Sequence, residues 1–191
     1  VSLFVFEPGR LETALRFAKK LNRPARVHLE AEKGMNRTGL NNGDLKKAFK
    51  LLLDNPDHLI FEGLCTHYAG AESINNYHRI QRQIKRFNRI YKGLQARGQQ
   101  PTHKHSACSA AAMAFKNTRG NMVRIGIMQY GFWPSRETQI AYMPKQRETG
   151  NPLQRVISWK SSVMSTKQVK EGEFVGYGTT YIAGSDMKVA W

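Results

Sequence analysis

Cysteine is scarce in this chain. Cys65 and Cys108 are the only two in 191 residues, and neither stands in a C-x-x-C spacing. A disulfide framework is therefore not expected, and a reducing cytoplasm fits. Long apolar runs are also missing: nothing approaches the ~20 residues that cross a bilayer, and no signal-peptide apolar region opens the chain. No membrane role is expected. No G-x-G-x-x-G follows the first strand-like run, which weakens a dinucleotide-binding fold. No metal site is expected either. Acidic residues are few, 14 against 30 Lys and Arg, for a net charge of +16. Between Ser73 and Arg136 there is no acid at all, while Lys and Arg number twelve.

That basic stretch has two readings. Arg79, Arg82, Arg86 and Arg89 recur at helical spacing and could form a polyanion-binding face. They could equally be one solvated helix surface, which is the reading favoured here. Aromatics do not interleave with them as a base-stacking platform requires. Nucleic acid is therefore not an expected partner.

What is present is alternation. Residues 1–6 read as a strand, with Pro8-Gly9 as a turn. Leu11, Leu15, Ala18 and Leu21 give a helical stripe. Residues 25–30 read as a second strand. Leu45, Phe49 and Leu52 mark a helix stopped by Asn55-Pro56. Residues 61–67 read as a third strand, and Ile80, Ile84, Phe87 and Tyr91 stripe a long helix. Residues 102–107 are a short strand, 110–115 a short helix and 122–128 a fifth strand. A strand–helix repeat of roughly 35 residues means βα units and a parallel sheet. The fold expected is α/β: part of a (β/α)₈ barrel, an open doubly wound sheet being the alternative. Beyond Pro134 the pattern becomes strand-like, at 156–159, 161–169 and 174–182, with a turn at Glu171-Gly172-Glu173. A boundary is expected within residues 137–152. That divides the chain into a partial barrel, 1–137, and the start of a β domain, 138–191. With strand-like sequence at both ends and no initiator Met, the chain is expected to be an interior portion of a longer protein.

In such a barrel, functional groups stand at the C-terminal ends of the strands. Those ends carry Glu30 with Arg37 beyond it, Thr66-His67, and His105 to Ser109. The fifth carries Arg124, Gly126 and Ile127. The segment from Asn121 to Gly131 is the most informative. It sets an arginine in an apolar run and follows it with glycine, which lets backbone approach a ligand closely. A permanent cation beside bare N–H groups suits a ligand with a ring nitrogen at one end and a phosphate at the other.

Five blocks in order resemble the alanine racemase family of pyridoxal-phosphate enzymes. They run from Val27 to Leu40, Glu62 to Ala69, His105 to Ala111, Asn121 to Gly131 and Val175 to Tyr181. The resemblance implies pyridoxal 5′-phosphate as cofactor, a small amino acid as substrate, and a homodimer whose site is shared between subunits. It implies racemisation of alanine, supplying D-alanine for peptidoglycan. A broad-specificity or serine racemase, or a non-catalytic cofactor-binding relative, is the alternative. It also implies roles. Arg124 would face the ring nitrogen. Gly126 and Ile127, through backbone N–H groups, and Ser109, through its hydroxyl and N–H, would hold the phosphate. His67 would bridge Arg124 to the partner subunit's catalytic tyrosine. Arg37 would contact the cofactor's phenolic oxygen and help bind substrate carboxylate. Two positions depart from the pattern. Glu30 stands where many members carry a carbamylated lysine, and is expected to pair with Arg37. Cys108 stands where asparagine is usual. The family's Schiff-base lysine and its opposing tyrosine have no matching position in these 191 residues. The chain is therefore expected to hold the cofactor cradle without either base.

Overall fold

A computed structural model describes residues 1–143 and 150–191. Its packing separates the chain into two units, Val1–Val156 and Ile157–Trp191. Residues 144–149, within the interval expected to hold the boundary, lie outside the described residues.

The first unit is an α/β layer. Strands β1 (Ser2–Val5), β2 (Ala25–Glu30), β3 (Leu59–Cys65) and β4 (His103–His105) form one parallel sheet in sequence order. Helices α1 (Pro8–Lys20), α2 (Asn42–Asp54) and α3 (Tyr77–Gln95) connect them. The expected turn at Pro8-Gly9 is instead the first turn of α1. Proline at the first helical position lacks only a donor that would be unpaired there anyway, and its fixed φ suits the helix. Asn41 caps α2, its side-chain oxygen accepting from the N–H groups of Gly43 (2.8 Å) and Asp44 (3.0 Å). Such a cap satisfies donors that the helix cannot.

The alternation of strand side chains sets the two faces of the sheet. Val27 and Leu29 turn toward the helices and bury completely against Val5, Leu11, Leu45, Leu64 and Phe87. Arg26, His28 and Glu30 take the other face by the same alternation. A register shift at Val27/His28 sets His28 beside Gly63 rather than Glu62. Gly63 is required by close approach: a Cβ there would overlap the His28 ring. A second apolar cluster joins Ile80 and Ile84 of α3 to Ala110 and Ala111 of α4 (Ser109–Ala114). Gln83, buried on α3, fastens the segment after β3 by accepting from Ala69 N–H (3.1 Å) and donating to Ala69 C=O (3.2 Å).

Residues 122–128 do not form the expected fifth strand. The segment keeps one backbone bond to the preceding loop, Arg124 N–H to Ala107 C=O at 2.9 Å. At Gly126 the backbone leaves the extended region (φ −105°, ψ −93°), and Ile127–Tyr130 coils into a 3₁₀ turn. Nor is Arg124 sealed in apolar surroundings, since it is half-buried and Val123, Ile125 and Ile127 beside it are exposed. Helix α5 (Arg136–Tyr142) follows, capped by the Ser135 hydroxyl.

The second unit is all β. Strands β5 (Thr166–Val169) and β8 (Met187–Ala190) pair antiparallel, and β6 (Phe174–Val175) pairs with β7 (Tyr181–Ile182). The strand expected over 174–182 is thus a hairpin. Gly176 (φ 80°) and Thr179 (φ 45°) reverse the chain inside it. The strands expected at 156–159 and 161–169 reduce to β5 alone.

Candidate active site

The C-terminal ends of the strands gather the site. Arg124 is its centre. Its Nη2–H donates to Thr66 C=O (2.8 Å) and its Nη1–H to His105 C=O (3.2 Å); Nη1 also contacts His105 Nδ1. Guanidinium carries five donors and no acceptor, so it retains N–H groups for a ligand after these bonds. Two residues on, Gly126 N–H donates to the Ser109 hydroxyl at 3.0 Å. Space beside the Gly126 Cα is open. A guanidinium and a backbone–hydroxyl pair therefore stand close together along one segment.

His67 is half-buried near Arg124 and Arg37. Burial, then the positive charges of Arg124 and Arg37, push its pKa down, so its imidazole is neutral at physiological pH. Arg37 itself is exposed in the loop after β2. The expected Glu30–Arg37 pair is not formed: no ion pair joins them among the described residues. Glu30 is 4% exposed at the end of β2, and its Oε2 has no hydrogen-bond partner. The loop instead orders itself around Glu32, whose carboxylate accepts from the N–H groups of Gly34, Met35 (3.0 Å) and Asn36 (2.9 Å).

Behind Arg124 runs a chain of bonds whose polarity is fixed by its ends. His105 Nε2 lies 2.8 Å from His28 Nδ1, and His28 Nε2 lies 3.2 Å from Glu62 Oε2. Glu62 Oε1 accepts from Arg26. Arginine only donates and carboxylate only accepts. His105 Nδ1 must therefore accept from Arg124 and its Nε2–H must donate to His28. His28 in turn donates through Nε2–H to Glu62. The tautomers are assigned by these partners. Burial first, then the charges of Arg124, His28 and His103, push the His105 pKa to about 3. The Ser2 hydroxyl, Arg26 and His28 hold Glu62 down at about 2 against a burial effect of opposite sign. A buried carboxylate thus orients, through two imidazoles, the face His105 shows to Arg124. Burial lifts the thiol of Cys65, next to this cluster, to about 12, which keeps it protonated.

Of the seven residues named from sequence, Gly126 and Ser109 bond directly, and Arg124 and Ile127 lie on the same segment as Gly126; His67 is close enough to Arg124 to feel its charge. Arg37 and Glu30 flank the site without bonding to each other. His28 and Glu62 were not singled out in the sequence. The available signal was inward parity: both lie on β strands where a buried ionisable group needs a partner.

Four parallel strands with crossover helices, functional groups at their C-terminal ends and a following β unit define part of a TIM-type barrel joined to a β domain. The family model "Alanine racemase, N-terminal domain" matches residues 1–134, and "Alanine racemase, C-terminal domain" matches 156–191. The chain belongs to the alanine racemase family. Alanine racemase of Halothermothrix orenii is 33% identical over 185 residues, 95% of this chain and 46% of that protein. That of Geobacillus stearothermophilus is 33% identical over 163 residues, 85% of this chain and 39% of that protein. The alanine racemase structure from Streptomyces coelicolor A3(2) superposes with a TM-score of 0.76 at 26% identity, covering 100% of this chain and 48% of that one. The chain spans about half the length of the curated relatives it matches.

Proposed function

We propose that the whole protein interconverts L- and D-alanine with pyridoxal 5′-phosphate, as a cytoplasmic homodimer that supplies D-alanine for peptidoglycan. Residues 1–137 form the cofactor-binding portion in this reading, and 138–191 begin the β domain. The observation that carries it is Arg124, locked by Thr66 and His105 two residues before the Gly126–Ser109 contact.

The residues fit the cofactor. Its two ends need a partner for a ring nitrogen and donors for a phosphate, and this segment offers both. Pyridoxal phosphate supplies an electron sink that acidifies the substrate Cα–H. Arg124 would meet the ring nitrogen with a group that donates and does not surrender its proton, because guanidinium has a pKa above about 12. A guanidinium there would leave that nitrogen unprotonated and keep the sink weak, which would suit simple removal and return of one proton. Ser109, through its hydroxyl and N–H, and Gly126 and Ile127, through N–H groups, would hold the phosphate, the Gly126 N–H being the one that donates to the Ser109 hydroxyl in this structure. In this reading His67, kept neutral by burial and by the charges of Arg124 and Arg37, would bridge from Arg124 on one side. On the other it would meet the partner subunit's catalytic tyrosine. Arg37 would take the phenolic oxygen and the substrate carboxylate, with Glu30 as a supporting residue at the strand end before its loop.

The test is racemisation by the full-length protein, loaded with cofactor, across L-alanine, L-serine and larger amino acids. Products are resolved by chiral chromatography. Alanine should turn over fastest. Faster serine turnover would overturn the substrate assignment. No turnover of any amino acid by cofactor-loaded protein would make it a cofactor-holding relative.

A further inference from the structure

Away from this site, a cleft of about 630 Å³ opens between the loop after β2 and the outer face of α3. Lys33, Arg86 and Arg89 line it, with Glu32, Asn36 and Asn42 among the remaining residues. The sequence presents Arg79, Arg82, Arg86 and Arg89 as one basic face; the structure divides them. Arg79 is bound to the fold, donating to Gly34 C=O at 2.9 Å, and Arg82 does not line the cleft. Arg86 and Arg89 do line it, and neither forms an ion pair among the described residues.

Across the cleft Lys33 is 8% exposed. Its ammonium donates to Asn42 Oδ1 at 2.8 Å, a neutral partner, and no carboxylate pairs with it among the described residues. The one acid in the lining, Glu32, already holds three backbone N–H groups of its own loop. The lining thus has three cations and one anion, or +2. A buried lysine without a counter-ion is costly unless something compensates it. Burial, with the Arg86 charge beside it, pushes the Lys33 pKa down despite the opposing pull of Glu32. A bound anion would relieve that.

We propose that this cleft is a binding site for a small multivalent oxyanion carrying a diphosphate group. Two guanidiniums one helical turn apart give planar, fork-like donors. Lys33 faces them as a point charge, and the amides of Asn36 and Asn42 add neutral donors. Clefts of about 300–1,000 Å³ hold ligands larger than orthophosphate, and three cations favour more than one charged centre. Arg124, Gly126 and Ser109 do not line this cleft.

The experiment is calorimetric titration of the full-length protein with inorganic pyrophosphate, orthophosphate and a single-stranded RNA, at two salt concentrations. Pyrophosphate should bind better than orthophosphate. Arg86→Gln/Arg89→Gln should weaken it by about tenfold or more, as charge-assisted bonds are lost. Lys33→Met, which keeps the buried stem, should weaken it likewise, whereas Arg82→Gln should change it less than about twofold because it does not line the cleft. Circular dichroism melts of each variant confirm folding; a variant that fails to fold is replaced by the single Arg89→Gln. No pyrophosphate binding by native protein would overturn the site. So would equal loss with Arg82→Gln, or RNA binding that depends equally on Arg79, Arg82, Arg86 and Arg89, which is a solvated polyanion face.

Discussion

Replacing Glu62 by Gln probes how Arg124 is held. The Glu62 side chain is 5% exposed and accepts from both His28 and Arg26. Gln keeps the shape and loses the charge. Its one carbonyl oxygen can accept from either His28 or Arg26. Its NH₂ then faces a donor. Arg26 is 56% exposed in its side chain and rehydrates on losing its partner. The main loss is one buried charge-assisted bond, about 2 kcal/mol. At roughly 2–4 °C per kcal/mol for 150–250 residues, and about half that for a protein twice as long, Tm of the full-length protein should fall by about 2–4 °C. The pH profile identifies the cause. Glu62 has its pKa held near 2 in the fold, well below its ordinary value. It therefore contributes stability above about 4.5 that is lost as pH falls from there toward 2. In the Gln variant that step should vanish, and the melt at neutral pH should already resemble the acid-weakened native protein. Thermal unfolding by circular dichroism across this range is the assay. An unchanged Tm together with an unchanged acid limb would refute the anchoring of His28 by Glu62.

Two other outcomes follow from the same buried chain. Gly63→Ala places a methyl against the His28 ring, so it should destabilise by about 1–3 kcal/mol through overpacking. A double variant with His28→Ala should recover part of that, as an interaction energy in the cycle. His105 has a pKa pushed to about 3, below its ordinary 6.5. The unfolded chain then binds a proton between those values and the fold does not. Stability should fall as pH drops from 6.5, before Glu62 begins to titrate. His105→Gln should flatten that upper part of the profile, and an unaltered slope there would contradict a buried neutral imidazole.

The parallel strands and their helices were legible because apolar period and helix caps act locally. Val27 and Leu29 mark one face of β2 without reference to anything distant. The errors came where local pattern and backbone geometry part. Pro8-Gly9 reads as a turn, yet proline also starts helices. Residues 122–128 alternate like a strand, but Gly126 turns the backbone away after a single bond to Ala107. The run 174–182 alternates too, and two left-handed residues fold it back. Arg124, Gly126 and Ser109 were legible through their motifs. The His28–His105–Glu62 chain was not, because it spans three strands and depends on the register shift beside Gly63. Glu30 and Arg37 sit close in sequence, yet one is buried at a strand end and the other exposed in a loop.

The measurement closest to the central claim is nitrogen NMR of full-length protein reconstituted with pyridoxal phosphate labelled at its ring nitrogen. With Arg124 donating to that atom, the resonance should be that of an unprotonated pyridine and should stay so across neutral pH. In Arg124→Glu it should move to the protonated form. A pyridinium resonance in the native protein, or no response to the substitution, would contradict the account.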